Sequence, residues 1–440
     1  MADSDLIILG AGVAGLSAAR TLSGRGVRVT LIEARDRIGG RIHTRHETQT
    51  ATPLELGAEF IHGRPPETFD LVRAAGLAVV DAAESRLLLK DGTLQPVDFW
   101  AGIEKAMSAI KRVRKDISFA DAIKAAGSKI DRASRDLAMS FVEGFDAADV
   151  NHISVQSVLE EQSGDAQIDE GRNFRLMGGY DAIPEFLRAG IDPAFAAIHL
   201  GTVATAVNWK RDGVTVETIS AQGMLTQTFR AKALLVTLPL GVLQAPAGER
   251  GAVTFHPPLP QKHDAAARLA AGPVVKVLLR FREPFWETRS PPSLPGKGTL
   301  ADTAFLHSRG LAVPTWWTLL PVRSNVLTGW AGGNSAMALS GKGEAFVLDR
   351  SIDSLATILG LPRDEVESRI ELAIVNDWQS DPSPAARTAM CPWAAWTPAR
   401  SLPRLWTTRS SMPAKRRTTP ARPARSRGRS CRPIGRWGRW

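Results

Sequence analysis

Two hydrophobic periods alternate along the chain. Residues 6–9 form a short apolar run ending at Gly10, and residues 27–32 form a second ending at Glu33. Between them Leu16, Ala19 and Leu22 share one helical face, so the pattern predicts strand, helix, strand. Residues 75–172 read as mainly helical: "AGIEKAMSAIKRVRKDI" and "ASRDLAMSFVEGF" carry apolar side chains at three- and four-residue spacing. Residues 203–236 return to alternation, "TVATAVNWKRDGVTVETI" and then "FRAKALLVTLPLGVL", which predicts strands. Further strands are expected in "KVLLRF", "PTWWTLLPV" and "NVLTGWAGG". A helix, a turn and a strand are expected in "GEAFVLDRSIDSLATILGLPRDEVESRIELAIVNDW". No run approaches membrane-spanning length, and no repeat is visible. The order predicts an α/β fold with an inserted α+β lobe.

The first strand–helix junction carries chemistry. Gly10, Gly12 and Gly15 stand at G-x-G-x-x-G spacing, with Ala14 inside the motif. The first glycine permits a tight turn, the second lets backbone approach a pyrophosphate, and the third lets helix and strand pack closely. The helix start then offers unpaired N–H groups and a positive dipole end to phosphates. Glu33, at the second strand's end and followed by Ala34, can accept hydrogen bonds from ribose hydroxyls, and an acid there disfavours a 2′-phosphate. A lone glycine triplet is weak, but strand, triplet, helix, strand and acid occur here in the required order. This element alone does not choose between NAD and FAD.

The following segments do choose. "EARDRIGGR" and "ELGAEFIHG" resemble the flavin amine oxidases, the family of monoamine and polyamine oxidases. The resemblance implies FAD, with Glu33 on the adenosine ribose and Arg41 on the pyrophosphate, Arg35 and Gly40 nearby. Gly57, Ala58, Glu59 and Phe60 would pass along the flavin, and the backbone of Val203 would pair with the adenine. "FRLMGGYDAIPEFL" is similar to the family's return segment, where Tyr180 fits helix entry better than chemistry. "PVVKVLLRF" matches the family around Lys276, which would hold a water beside the flavin and assist reaction with oxygen. A lysine flanked by apolar residues needs a reason, although a water-facing strand edge is the bland one. In isolation Arg35 and Arg41 read as solvated loop charges, His62 as an ordinary loop histidine, and Trp316 and Trp317 as core or cavity wall.

Charge changes the picture only near the C-terminus. The net charge is +10, but 14 of the 55 Lys+Arg and none of the 45 Asp+Glu lie from Ser383 onward, which leaves 41 against 45 before it. Both cysteines and five of the twelve tryptophans also lie there. The body has no basic bias toward nucleic acid and no thiol for disulfide or Cys-metal chemistry. The family resemblance covers residues 5 to about 382 and should continue with a segment like "DPFARGAYSY" and a G-E-A-T turn. Read one nucleotide earlier, residues 383–395 become compatible with "FARGAYSYVPVGG", and "MPAKRR" becomes compatible with "YAGEAT". The tail therefore reads as a shifted frame, expected to be disordered. The rival, a genuine tail for nucleic acid or an acidic surface, rests on composition alone.

The expected organisation is discontinuous: a Rossmann-type FAD-binding domain from 1–75, 191–250 and 373–382, a substrate domain from 76–190 and 251–372, and the tail from 383. The implied reaction oxidises a primary or secondary amine to an imine, with O2 reduced to H2O2. No metal, nucleic acid or membrane partner is expected, and a cytoplasmic location is the default. The open alternatives are another two-domain flavin enzyme (L-amino-acid oxidase-like or desaturase-like), an NAD-dependent dehydrogenase, and an inactive remnant lacking the C-terminal flavin segment.

Overall fold

The computed structural model describes residues 3–380, apart from 112, 114, 166–167, 169–170, 224–225, 250, 295 and 297, together with 388–390. Most of the tail expected to be disordered lies outside the described residues.

The expected strand–helix–strand unit is present. Strand β1 (Ser4–Leu9) leads into helix α1 (Val13–Ser23) and then strand β2 (Val29–Ile32). β1 pairs in parallel with β2 on one side and with Thr226–Val236 on the other. Ala196–His199 extends the sheet beyond β2, while Gly213–Ser220, Thr202–Lys210 and Thr254–His256 complete it at the far side. Leu16 and Ala19 of α1 are buried beside Ile8 and Leu31. The parallel strands thus end together at Gly10 and Glu33, the edge where the order of connections leaves a crevice.

A second seven-stranded sheet carries the other lobe. Its order is Ile370–Asp377, Val274–Phe281, Val326–Gly332, Thr315–Trp317, Phe305–His307, Arg86–Lys90 and Thr93–Pro96. Val274–Phe281 is buried at all eight positions because it has partners on both sides. Helix Glu344–Leu359 supplies Val347, Ile352, Leu355 and Leu359 to the core on this sheet. The helices Phe99–Ile110, Phe119–Ala126, Arg132–Gly144 and Val155–Asp165 enclose a separate apolar cluster.

The structure departs from the sequence reading at two places. Residues 76–98 are not helical but contain three strands, Val79–Asp81, Arg86–Lys90 and Thr93–Pro96. The last two form a hairpin through Asp91 and Gly92, both at positive φ (49° and 76°), a two-residue Asp-Gly turn of the kind hairpin twist favours. Ile370–Asp377 sits at the edge of the second sheet, so the chain has not left that sheet at residue 373.

Candidate active site

Two glycine loops meet at the start of α1. Gly10 has φ +102°, and a Cβ on Gly15 would lie 1.9 Å from the Gly10 carbonyl oxygen, so both glycines are required by the chain itself. Gly12 is different. A Cβ there would meet nothing within 4 Å, and the helix it precedes has no side-chain cap. The space in front of Gly12 and the uncapped helix start form a cradle that backbone N–H groups face. The second loop is stitched to the first: Gly39 N–H donates to the Ala11 carbonyl at 2.9 Å, and Gly40 lies against Gly12. Arg37, passed over in the sequence, holds this loop by donating to the carbonyls of Ile38, Gly40 and Ile42. Arg35 also reaches Gly40.

Glu33 is buried at the end of β2, where its carboxylate accepts from the backbone N–H of Ala11 (2.7 Å) and of Arg35 (3.0 Å). Each oxygen keeps acceptor capacity for a further donor. The Thr202 N–H donates to the Glu33 carbonyl at 2.9 Å, which brings Val203 alongside. Ala14 lies exposed on the first turn of α1, and Ala34 is half-buried after Glu33.

Arg41 points the same way. Burial pushes its guanidinium pKa down, and among the described residues it makes no ion pair. It lines a cavity of about 560 Å³ together with Gly57, Ala58, Glu59, Phe60, Lys276 and Trp378. A half-buried cation without a counter-ion suits an anionic ligand. Gly57 is packed so closely on the Arg41 carbonyl that a Cβ would come within 2.0 Å of it. Trp378 and Asn376 donate to the Leu56 carbonyl and fix this segment from the second sheet.

Lys276 is 1% exposed on a strand of the second sheet that is paired on both sides, which excludes a water-facing edge. Its Nζ donates to Glu59 Oε2 at 2.7 Å and to the Gly57 carbonyl at 3.1 Å. One of its three donors remains. Glu59 also accepts from Trp317 Nε1 at 2.9 Å and pairs with Arg175 at 3.0 Å. Burial pushes the Glu59 pKa up, but Lys276, Arg175 and Trp317 together hold it below the usual carboxylate range. Glu59 is therefore an internal counter-ion with both oxygens engaged, and the triad carries one net positive charge. Arg175 stacks over Phe60 at 4.4 Å. The Trp pair splits as strand alternation requires: Trp316 is fully buried in the core, whereas Trp317 lines the cavity.

His62 departs from its sequence reading. It lines the cavity in the strand Ile61–His62, against Phe60 and Phe145. Its Nδ1 meets Asn173 Oδ1 at 2.6 Å, and Asn173 Nδ2 donates to Glu84 Oε1 at 2.7 Å. Glu84 Oε2 then accepts from Arg86 at 2.7 Å. Because the Glu84 carboxylate only accepts, the Asn173 amide must face it with nitrogen. Its oxygen then faces His62, so Nδ1 carries a proton. The partners lie 22 and 111 residues away in sequence, so no local signal marked them.

Much of the remaining wall is aromatic, with Phe99, Trp100, Phe141, Phe305 and Trp330. Glu143 adds a carboxylate with no ion pair among the described residues. At one end Asp136 pairs with Arg309 at 2.5 Å.

Residues 13–406 match the family described as flavin containing amine oxidoreductase. The chain belongs to this family. The match runs past residue 382, where the sequence resemblance was expected to stop. Among similar proteins, polyamine oxidase 2 of Arabidopsis thaliana is 29% identical over 331 residues, covering 68% of this chain and 62% of that protein. Lysine-specific histone demethylase 2 of Homo sapiens is 28% identical over 311 residues, covering 65% of this chain and 36% of that protein. The chain thus spans less than two thirds of these relatives' length. Two solved structures share the fold. Putrescine oxidase bound to putrescine has a TM-score of 0.70 at 18% identity, with 89% of each chain covered. Cyclohexylamine oxidase from Brevibacterium oxydans has 0.68 at 20%, covering 89% of this chain and 88% of that one.

The family's cofactor is FAD, and the residues present fit it. The open cradle before Gly12, the uncapped start of α1 and the unpaired Arg41 suit a pyrophosphate. Glu33, with acceptor capacity left on its carboxylate, would suit a ribose.

Proposed function

We propose that this chain oxidises a primary or secondary amine with FAD, O2 serving as oxidant and H2O2 forming. One observation carries the reading: an aromatic cavity joins the unpaired Arg41 to the buried Lys276–Glu59–Arg175 triad, so a cofactor site and a substrate site are continuous. When bound, the flavin supplies the electron acceptor for a hydride equivalent from the carbon next to nitrogen and passes the electrons to O2.

The chain's own residues supply the rest. Gly10, Gly12, Ala14, Gly15, Glu33, Ala34, Arg35, Gly40, Arg41 and Val203 would hold the dinucleotide, with Gly57, Ala58, Glu59 and Phe60 along the ring. Lys276 would act as the charged group beside the reacting atoms: a net positive, water-poor triad stabilises negative charge developing nearby. His62, with its proton on Nδ1, would hold the substrate nitrogen and take its proton, since only a neutral amine has the lone pair that assists hydride loss. Asn173 and Glu84 would fix that tautomer. Glu143 offers an anion for a cationic amine.

An amino-acid substrate fits less well. Of the arginines lining the cavity, Arg86 pairs with Glu84, Arg309 and the largely exposed Arg132 share Asp136, and Arg41 suits the pyrophosphate. The same proposal includes a shifted frame after Pro382, carried by the two coding coincidences. Expressing the chain as written and in the alternative frame, each with ample FAD, and screening amines for peroxide tests both readings. Peroxide from amines but not amino acids supports the activity, and no turnover by either version overturns it.

A further inference from the structure

One chain of hydrogen bonds runs from His62 to His307 along the cavity wall. His62 Nδ1 meets Asn173 Oδ1 at 2.6 Å, Asn173 Nδ2 donates to Glu84 Oε1 at 2.7 Å, and Arg86 Nη2 donates to Glu84 Oε2 at 2.7 Å. Arg86 Nη1 then reaches His307 Nε2 at 3.2 Å, and His307 Nδ1 faces the Thr315 hydroxyl at 3.4 Å. His62, Asn173, Arg86, His307 and Thr315 all line the cavity. Glu84 joins two sheets in this chain. His62 and Asn173 belong to the three-stranded sheet of Ile61–His62, Asn173–Leu176 and Val79–Asp81, whereas Arg86, His307 and Thr315 belong to the second seven-stranded sheet.

Donor rules give the chain a direction. A guanidinium only donates, so His307 Nε2 accepts and the proton of the neutral ring sits on Nδ1. Burial and the Arg86 charge push the His307 pKa down to about 3, which keeps that ring neutral. A carboxylate only accepts, so the Asn173 amide turns its nitrogen to Glu84 and its oxygen to His62. Packing opposes other orientations. His307 stacks on Phe99 (5.0 Å) and Phe305 (6.2 Å), Arg86 lies over the same two rings at 4.8 Å and 4.0 Å, and Asn173 is buried.

We infer that Glu84 is a positioning residue that places the Nδ1 protons of both cavity histidines, one through Asn173 and one through Arg86. What His62 then does with a substrate rests on the amine reading; where the protons lie rests on the hydrogen-bond chain alone. An ion pair that only neutralised Arg86 would leave the Asn173 amide free to face either way. The two roles separate in Glu84→Gln. The new carbonyl must accept from Arg86, so the new amide nitrogen faces Asn173. Asn173 then turns its oxygen toward position 84 and its nitrogen toward His62, whose Nδ1 must lose its proton to accept. Adding Asn173→Asp restores an acceptor in front of His62, and the proton returns to Nδ1. His307 keeps its Nδ1 proton throughout, because Arg86 still donates to Nε2.

The test is long-range nitrogen-15 NMR of the histidine rings in the full FAD-supplemented chain. Spectra are taken at about pH 8, above the ordinary histidine pKa of about 6.5, and His62→Gln and His307→Gln assign the signals. The unaltered chain should carry a proton on Nδ1 of both rings. An unprotonated Nδ1 on either ring overturns the inference, and that reading needs no variant. In Glu84→Gln His62 should lose the Nδ1 proton, and in Glu84→Gln/Asn173→Asp it should regain it; a proton retained in the single variant overturns the role of Glu84. Amine kcat/KM should fall about a hundredfold in Glu84→Gln, the lower range for a general base, and largely recover in the double variant. Protons that move as expected while kcat/KM stays unchanged support the positioning role and contradict the part given to His62 in amine oxidation.

Discussion

Lys276 and Glu59 lie 217 residues apart in sequence and 2.7 Å apart in space, almost wholly removed from water. Arg175 shares the same carboxylate, so two cations balance one anion. This asymmetry sets an order of stabilities. Lys276→Met leaves a neutral Glu59–Arg175 pair, whereas Glu59→Gln leaves two buried cations facing each other. Urea unfolding should show Glu59→Gln destabilised by about 3–5 kcal/mol, the range for breaking a buried pair, and Lys276→Met by less. Equal losses, or the reverse order, would mean that the triad is not the electrostatic unit described.

Glu55 gives a pH dependence. Burial pushes its pKa up to about 7, against the opposing hydrogen bonds from the Thr44 hydroxyl and the Tyr180 N–H. The folded state therefore holds this proton more tightly than the unfolded chain does. Its contribution is fully present below the ordinary carboxylate pKa and is lost as pH rises through about 7. The loss is on the order of 3 kcal/mol. Glu55→Gln, which mimics the protonated acid, should flatten the decline in stability between pH 5 and pH 8. An identical slope in both proteins would count against the assignment.

Gly12 and Gly15 should separate fold from cofactor. Gly15→Ala drives a methyl to 1.9 Å from the Gly10 carbonyl, so the first strand–helix unit must distort and the melting temperature should drop. Gly12→Ala meets no protein atom within 4 Å. It should melt like the unaltered chain without FAD, yet lose most of the stabilisation that FAD adds. Equal FAD-induced shifts for Gly12→Ala and the unaltered chain would move the phosphate site elsewhere.

His62 and Asn173 should act as one unit. If Asn173 fixes the His62 tautomer, His62→Ala and Asn173→Ala each lower kcat/KM for an amine, and the double variant loses little more than either alone. Loss of Asn173 should also shift the acidic limb of the kcat/KM pH profile, which a merely structural role would leave in place. Strictly additive losses with an unmoved pH profile would disconnect the pair.

Much of this was legible in the sequence for identifiable reasons. Backbone demands appear as glycine, so the positive φ at Gly10 and the close approach at Gly15 were visible as spacing. Lys276 stood out because a buried strand left its charge in an apolar run. Charge partners were not legible. Glu59 reads as a flavin-side residue until Arg175 and Trp317 are seen to occupy it. His62 looks like any loop histidine until Asn173 is folded against it, and the Asp91–Gly92 turn signal went unread beside the helical periodicity that follows it. The cavity walls come from three distant stretches, around Phe99, Phe141 and Phe305, whose meeting is a property of the fold alone.

The most direct test of the central claim is the visible absorption spectrum of the purified 440-residue chain after expression with ample FAD and desalting. The account predicts a flavin band that survives desalting and disappears in Gly12→Ala. A colourless chain, together with a colourless version read in the alternative frame after Pro382, would contradict it.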